Sequence, residues 1–342
     1  MKYLSVIIPS YNSEAFIINC LNSFDKKNID DLEIIVINDG SKDKTSELVH
    51  EYIKDHPYIK IVDKENGGHG SGFNKGLEVA TGLYLKILDS DDFLDQDALR
   101  HLLDVIKKHM EENHLPDVYL ADHYACVQDT DQRDLVSLSK RAKRIEDFIT
   151  FDDVKHLSVT DFLMVHMTFM KVSFLKENKI NLLEKVFYED SELVFKILKY
   201  AREIYFLDRP IYLYTVGRAG QSISLPNIDK NYLHQFKVMR RVIDSISIEE
   251  FKALPKGNQY HIKHELTLLY TLTYFYAFII PNEDKTKAFK ELVKHLKENN
   301  RGIYKLMKWH TSSFFLFIAP PFMRHFIAKT GYKIAKRKEG WK

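Results

Sequence analysis

Short apolar runs alternate with amphipathic stretches over the first hundred residues of the chain. The apolar runs are rich in Val, Ile and Leu and predict strands at residues 4–8, 32–37, 58–62 and 83–88. Residues that favour helix starts precede helical apolar periods, at Asn12 or Ser13, at Ser41 and Asp43, at Ser71 and at Asp95. Because strands buried on both faces read as continuous apolar runs, this series predicts a mainly parallel sheet flanked by helices.

The pattern changes after Pro116. One more strand is predicted at residues 118–127, residues 129–156 read as loop and short helix, and a helix is predicted at 189–200. Two short strands follow at 204–207 and 211–214, and from Asn231 onward the pattern is helical. We therefore predict an α/β domain over residues 1–226 and a helical C-terminal region over residues 227–342.

Charge is unevenly distributed, although the formal net charge of the 342 residues is only +2. Residues 301–342 contain ten Lys or Arg and a single acidic residue, Glu339, so this tail alone carries +9. The same tail contains at least six large aromatic residues, among them Trp309, Phe314, Phe315, Phe317, Phe322 and Phe326. This mixture is typical of a segment that lies on an anionic membrane surface, and a basic helix packed on the body or on a partner is the alternative.

Other features bear on the location of the protein. The N-terminal apolar run is too short for a signal peptide and breaks at Pro9, and no run reaches the roughly 18–20 apolar residues of a membrane span. Cys20 and Cys126 form no Cys-x-x-Cys motif, which favours buried thiols in a reducing compartment. We expect a cytoplasmic protein that is peripheral on the inner face of the membrane.

Polar residues follow each of the four predicted parallel strands. They are Pro9-Ser10-Tyr11-Asn12, Asn38-Asp39-Gly40-Ser41, Glu65-Asn66-Gly67-Gly68 and Asp89-Ser90-Asp91-Asp92. Because ligands of open parallel sheets bind beyond the carboxyl ends of the strands, these residues predict a site for a polar, phosphorylated ligand. Three carboxylates within four residues repel one another unless a cation compensates, and Mg²⁺ or Mn²⁺ takes carboxylate and phosphate oxygens together. The alternative is an Asp-rich turn that caps the next helix.

These four motifs, followed by Tyr188-Glu189-Asp190 at a predicted helix start, resemble the family 2 glycosyltransferases with a GT-A (Rossmann-like) fold. The resemblance covers roughly residues 1–225. It implies that residues 1–226 form a nucleotide-sugar-binding and catalytic domain. It also implies an inverting transfer of a sugar from a nucleotide-diphosphate donor, such as a UDP-sugar, to a hydroxyl of a glycan or lipid-linked acceptor.

The resemblance also implies roles for individual residues. Donor-binding residues would be Pro9, Tyr11, Asp39, Asn66, Gly67, Asp89 and Arg218, with the first three at the base and Asp89 at the ribose or donor sugar. Asp91 would bind Mg²⁺ or Mn²⁺, with Asp92 nearby, and Asp190 would be the general base. Arg218 lies in a segment that either closes on the diphosphate or forms an ordinary surface turn.

The chain departs from the family pattern at Gly72-Phe73-Asn74-Lys75-Gly76, where many relatives carry an Arg. His69, Lys75 or Lys86 could supply positive charge instead. His166 lies in an apolar stretch, where a lone histidine is more often a satisfied core residue than a ligand. Two other functions remain open: a non-catalytic sugar-nucleotide-binding assembly subunit and a nucleotidyltransferase. No nucleic-acid partner is expected, and an oligomer is left open.

Overall fold

The computed structural model describes residues 1–24, 29–128, 130–158, 161–217, 224–309 and 314–338. The chain divides into two units, each assembled from three stretches. Unit 1 comprises Met1–Asp153, Leu163–Val186 and Tyr200–Val216, and unit 2 comprises Val154–Phe162, Phe187–Lys199 and Gly217–Lys342. The units therefore interleave along the chain, whereas the sequence predicts a single division after residue 226.

Unit 1 is built on an eight-stranded sheet. Its strands are β1 (Leu4–Ser10), β2 (Leu32–Asp39), β3 (Ile59–Lys64), β4 (Tyr84–Ile87), β6 (Val118–Leu120), β9 (Phe148–Ile149), β10 (Thr168–Lys171) and β11 (Ile204–Phe206). The order across the sheet is β3-β2-β1-β4-β10-β6-β11-β9. The first four strands are parallel, and β10 runs antiparallel to both β4 and β6. The predicted GT-A-type α/β sheet is confirmed.

A second, four-stranded sheet in unit 1 contains β5 (Phe93–Leu94), β7 (His123–Val127), β8 (Arg133–Val136) and β12 (Tyr212–Val216). Its order is β5-β12-β7-β8. The prediction of one strand over residues 118–127 is therefore wrong, because the chain changes sheets at Asp122. The Asp122 carboxylate accepts hydrogen bonds from the backbone N–H groups of Leu138 and Ser139, which fixes this break. Strands β8 and β9 also replace part of the predicted loop at 129–156.

The helices of unit 1 cover the eight-stranded sheet. They are α1 (Ile17–Asn22), α2 (Thr45–Tyr52), α3 (His69–Val79), α4 (Gln96–Glu111) and α5 (Val172–Glu177). Helix α3 lies very close to β1: a Cβ atom at Gly72 would come within 2.9 Å of Pro9, and one at Gly76 within 2.7 Å of Ile7. Both positions therefore require glycine. Every residue of β1 is buried, as expected for a central parallel strand.

Unit 2 contains the remaining helices: α6 (Asp190–Tyr200), α7 (Leu225–Asp244), α8 (Ile248–Ala253), α9 (Lys256–Phe278), α10 (Glu283–Asn299), α11 (Arg301–Lys308), α12 (Phe314–Ile318) and α13 (Arg324–Lys338). The prediction of a helical C-terminal region is confirmed. The tail packs on α9, where the Tyr270 and Phe317 rings stack at 3.9 Å and His325 Nδ1 lies 3.0 Å from the Phe278 carbonyl oxygen. Within the described residues, no helix is both long enough and apolar enough to cross a membrane.

Candidate functional site

The ends of β1, β2, β3 and β4 meet at one edge of the large sheet. The backbone N–H of Asn12, after β1, donates to Ser41 Oγ after β2 at 3.0 Å. The hydroxyls of Ser13 and Ser90 lie 2.7 Å apart, which joins the end of β1 to the end of β4. We call this edge the strand-end site. The four polar motifs of the sequence are therefore brought together.

Asp39, at the end of β2, organises the loop after β3. Its carboxylate accepts hydrogen bonds from the backbone N–H groups of Gly67 at 2.9 Å and Gly68 at 2.7 Å, and from the Lys64 ammonium at 2.6 Å. The Asn66 side chain donates to the Asp39 carbonyl oxygen at 2.9 Å. Gly68 has φ +82°, a left-handed conformation that suits glycine and precedes the first residue of α3. The buried Asp39 carboxylate is thus held in place by hydrogen bonds from the end of β3 and the loop after it.

Two predicted base-pocket residues lie at the end of β1. Pro9 is buried near the end of the strand, where it packs against Gly72 of α3. Tyr11 follows the strand and is 46% exposed, which leaves its ring accessible to a planar ligand. A rigid strand end thus carries an exposed aromatic ring, which is the arrangement that base stacking needs.

The three acids after β4 have different environments. Asp92 is buried, and its two carboxylate oxygens accept from the Tyr212 hydroxyl at 2.6 Å and the Thr215 N–H at 2.7 Å. Burial, followed by the neighbouring charges of Asp89 and Asp91, raises the pKa of Asp92 well above its usual range. Asp91 and Asp89 are only partly buried. Of the three carboxyl groups, that of Asp92 is therefore the most buried, and it accepts a hydrogen bond from the protein on each oxygen.

Asp89 lies between two histidines. His69 Nε2 is 3.2 Å from Asp89 Oδ1, and His166 Nε2 is 3.8 Å from Asp89 Oδ2. Burial opposes ionisation of Asp89, but the hydrogen bonds and positive charge of His166 and His69 outweigh it and hold its pKa far below the usual range. Asp89 is therefore a carboxylate at any physiological pH.

The three candidates for the missing positive charge have different surroundings. His69 faces Asp89, whereas Lys75 forms an ion pair with Glu78 at 2.8 Å. Lys86 is completely buried and donates to the backbone carbonyl oxygens of Val165, His166 and Thr168. Burial lowers the pKa of Lys86 to about 7, and the charges of Asp89 and Asp92 oppose this shift. Of the three, His69 directly faces the acid cluster.

Ligands for a divalent cation are present at this site. Among the described residues, Asp89, Asp92 and His166 each offer a ligand atom, and these atoms lie within 4.8 Å of one another. Carboxylate oxygens with one imidazole nitrogen suit Mn²⁺, and carboxylates with phosphate oxygens suit Mg²⁺. The donor set therefore fits the cation that the sequence predicts. Asp91, the predicted principal ligand, belongs to the same turn.

The predicted general base, Asp190, belongs to unit 2 and not to the strand-end site of unit 1. It is the exposed first residue of α6, and its Oδ1 accepts from the Ser191 N–H at 2.9 Å. Tyr188, just before it, has φ +71°, a strained conformation that occurs preferentially at functional sites. Asp190 also influences Glu265 of α9, a buried residue whose pKa is raised to about 8 by burial and by the Asp190 charge. Arg218 lies outside the described residues.

A match to a family model identifies the protein family to which the chain belongs. The family model of glycosyl transferase family 2 matches residues 5–176, half of the chain, and this span contains all four strand ends. The chain belongs to glycosyl transferase family 2. This family 2 chain is 31% identical over 216 residues to the uncharacterized glycosyltransferase EpsJ of Bacillus subtilis, covering 62% of this chain and 60% of EpsJ. It is also 37% identical over 105 residues to the chondroitin synthase of Escherichia coli, covering 31% of this chain and 15% of that enzyme. The chain thus spans less than two thirds of these relatives.

Solved structures have the same fold as this family 2 chain. S. aureus TarS 1–349 in complex with UDP-GlcNAc matches with a TM-score of 0.67 and 21% identity, covering 97% of this chain and 92% of that TarS 1–349 chain. The mannosyltransferase PcManGT from Pyrobaculum calidifontis, in complex with GDP-Man and Mn²⁺, matches with a TM-score of 0.51 and 16% identity, covering 99% of this chain and 87% of that one. At these identities the likeness shows the fold.

Sequence reasoning missed the surroundings of Asp89. A satisfied core histidine is the more common reading of His166, but among the described residues its buried Nδ1 has no hydrogen-bond partner, and its Nε2 faces the acid cluster. Sequence reasoning also gave no role to Tyr212, whose hydroxyl donates to Asp92. Of these residues, only His69 could have been placed near the site from the sequence, because it directly follows the glycine pair of the third motif.

Proposed function

We propose that this chain is a metal-dependent, inverting glycosyltransferase that moves a sugar from a UDP-sugar to a hydroxyl of a glycan or lipid-linked acceptor. One observation carries the proposal: in a family 2 chain, the acid cluster after β4 meets the ends of β1, β2 and β3. A UDP-sugar is the donor class because the structural relative TarS was solved with UDP-GlcNAc.

In this proposal the strand-end site binds the donor. Tyr11 stacks on the base, and Asp39 can still accept a base N–H, because its Oδ2 takes only the Gly68 N–H among the described residues. Asp89 accepts a donor hydroxyl, and Asp91, with Asp92 beside it, holds Mg²⁺ or Mn²⁺. When bound, the cation would neutralise the negative charge of the diphosphate leaving group. Asp190 takes the proton from the acceptor hydroxyl as that oxygen attacks the sugar carbon.

Metal-dependent donor binding tests the proposal. In a thermal-shift screen of nucleotide sugars, we expect one UDP-sugar to raise the melting temperature in Mn²⁺ or Mg²⁺ but not in EDTA. A ligand at 100 times its Kd adds about 2.7 kcal/mol to the free energy of unfolding. Asp91→Ala should abolish this stabilisation and turnover, because the cation loses its principal carboxylate while the unliganded fold is kept.

Asp97→Asn is the matched control, since Asp97 is an exposed acid in the first turn of α4. It should keep the full donor response. Full donor binding and turnover in excess EDTA would remove the metal from the proposal. Binding without release of free nucleoside diphosphate would favour a sugar-nucleotide-binding subunit. Release of pyrophosphate from UTP and a sugar 1-phosphate, with formation of the UDP-sugar, would favour a nucleotidyltransferase.

We further propose that the tail places the enzyme on the inner face of the membrane, near a lipid-linked acceptor. Four aromatic side chains of the tail are largely exposed: Trp309 (66%), Phe315 (69%), Phe322 (83%) and Phe326 (68%). Exposed basic residues lie among and beside them, including Lys305, Lys329 and Lys333. Apolar rings that insert and cations that attract anionic headgroups together favour a lipid interface over water.

Vesicle binding tests this location. The full chain should sediment with phosphatidylglycerol vesicles, and high salt should weaken binding without abolishing it, because salt screens the cations but not ring insertion. The double variant Phe322→Ser, Phe326→Ser should lose most of the salt-resistant part. Truncation is less suitable, because α11 and α13 pack on α9.

Leu135→Ser serves as the control, because Leu135 is 54% exposed on β8, outside the tail. This variant should bind vesicles as the unaltered chain does. Equal binding by the double variant and the control would instead favour a tail that packs against a protein partner.

A further inference from the structure

The Asp89 carboxylate has an imidazole on each of its oxygens. His69 Nε2 lies 3.2 Å from Oδ1, and His166 Nε2 lies 3.8 Å from Oδ2. All three side chains belong to unit 1 and are about a third exposed or less. A carboxylate with a hydrogen-bonded imidazole on one oxygen and a second imidazole beside the other has one preferred orientation, and its remaining lone pairs point in fixed directions.

His166 is held beside Asp89 by an elaborate set of contacts. Its ring stacks on the rings of Tyr212 and Tyr214, at centroid distances of 4.6 and 4.5 Å. The buried Lys86 ammonium donates to the carbonyl oxygens of residues 165, 166 and 168, which pins the backbone of the turn that carries His166. Burying a lysine without a contacting carboxylate costs free energy, so this arrangement needs a reason beyond packing.

His69 reaches Asp89 from a different element. It is the first residue of α3, directly after Gly68, whose N–H binds Asp39. The loop that Asp39 organises therefore also sets the position of His69. Two independent elements, the start of α3 and the turn before β10, deliver one imidazole each to the same carboxylate.

We propose that His69 and His166 are positioning residues that hold Asp89 as the acceptor for a sugar-ring hydroxyl of the donor. The proposal rests on the proposed function, because the hydroxyl belongs to the nucleotide sugar. The shared chemistry is a ring hydroxyl, which either the ribose or the transferred sugar can supply. This assignment gives Asp89 to the hydroxyl and leaves the cation to Asp91 and Asp92, so that His166 orients Asp89 instead of completing the Asp89, Asp92 and His166 ligand group.

Donor and nucleotide affinities test this inference. The probes are UDP and the UDP-sugar that stabilises the unaltered chain most, measured by calorimetry in Mn²⁺. His69→Leu should weaken UDP-sugar binding about tenfold or more, since loss of one charge-assisted hydrogen bond is of that order. His166→Leu should weaken it as well, because the second oxygen of Asp89 loses the imidazole beside it. His69→Gln and His166→Gln should keep most of the affinity, because a Gln amide N–H reaches about as far as Nε2–H.

The two probes separate the possible hydroxyls. An equal loss for UDP and the UDP-sugar assigns the hydroxyl to the ribose, and a loss confined to the UDP-sugar assigns it to the transferred sugar. His114→Leu is the control, since it removes another histidine–carboxylate pair, His114 with Glu203 at 2.8 Å, outside the strand-end site. It should leave both affinities unchanged.

Three results would overturn the inference. Leucine variants that bind the donor as tightly as the unaltered chain would show that the imidazoles do not position Asp89. Glutamine variants as weak as the leucine variants, with unchanged melting temperatures, would show that ring shape and not the N–H matters. An unaltered chain that binds no nucleotide sugar would overturn the proposed function itself, which is a distinct outcome.

Discussion

Asp190→Asn is expected to lower kcat by on the order of 10²–10⁴, the usual contribution of a general base. The change keeps the size of the side chain and removes its ability to take a proton from the acceptor hydroxyl. Asp190 lies exposed at the start of α6 and is therefore accessible to an acceptor. Donor affinity should stay within about twofold, because the proposed donor site belongs to unit 1. Steady-state kinetics with calorimetric donor binding on the same preparation measure both quantities.

The alternative is a purely structural role, in which the Asp190 carboxylate complements the dipole of α6 and contributes about 0.3–1 kcal/mol to stability. Asp284→Asn is the matched control, because Asp284 is an exposed acid in the first turn of α10 in the same unit. The control should lose a little stability and no activity. If Asp190→Asn behaves in the same way, or binds donor poorly but turns over normally at saturation, Asp190 is not the base.

Glu265→Gln is expected to change how the stability of the protein depends on pH. Burial, and then the Asp190 charge, raise the pKa of Glu265 from 4.5 to about 8. The folded chain thus holds this proton more tightly than the unfolded chain does. The stabilisation is complete below about pH 4.5 and is lost as pH rises towards 8. At about 1.4 kcal/mol per pH unit, the group accounts for a loss on the order of 5 kcal/mol across this window.

The geometry of unit 2 supports this coupling. The Asn258 side chain on α9 donates to the Leu198 carbonyl oxygen on α6 at 2.8 Å. The same pair of helices carries Asp190, at the start of α6, and Glu265, on α9, and the Asp190 charge contributes to the raised pKa of Glu265. Among the described residues, no hydrogen bond is made to the Glu265 carboxyl that would offset its burial.

Urea unfolding at several pH values between 5 and 8.5 measures the effect. The free energy of unfolding of the unaltered chain should fall relative to that of Glu265→Gln as pH rises, since the glutamine cannot ionise. Glu283→Gln, an exposed acid at the start of α10, should follow the unaltered chain. Parallel curves for the unaltered chain and Glu265→Gln would show that Glu265 ionises normally in the folded state.

The first half of the sheet could be predicted from the sequence because its information is local. Each of β1, β2 and β4 is a largely apolar run followed by polar residues, and parallel strands present those ends at one edge. The helical nature of unit 2 was likewise visible in the periodicity of single segments. These strands and helices could be predicted without knowing which distant segments of the chain pair with each other.

The rest of the site depends on pairings that no local pattern records. His166 reaches Asp89 because β10 inserts antiparallel between β4 and β6. The roles of Lys86 and Tyr212 follow from the same insertion and from the second sheet. Asp122 breaks an apolar run that looks like one strand, because its carboxylate binds backbone N–H groups further along the chain. Such features follow from tertiary contacts, which override local propensity.

The interleaving of the two units has a consequence for synthesis on the ribosome. Strand β11 pairs with both β6 and β9, so the eight-stranded sheet is incomplete until residue 206 has emerged. Strand β12 pairs with both β5 and β7, so the four-stranded sheet is incomplete until residue 216 has emerged. Until then the nascent chain exposes unpaired strand edges, the feature most prone to intermolecular pairing. Unit 1, although it lies mostly in the first half of the chain, therefore completes its folding late in translation.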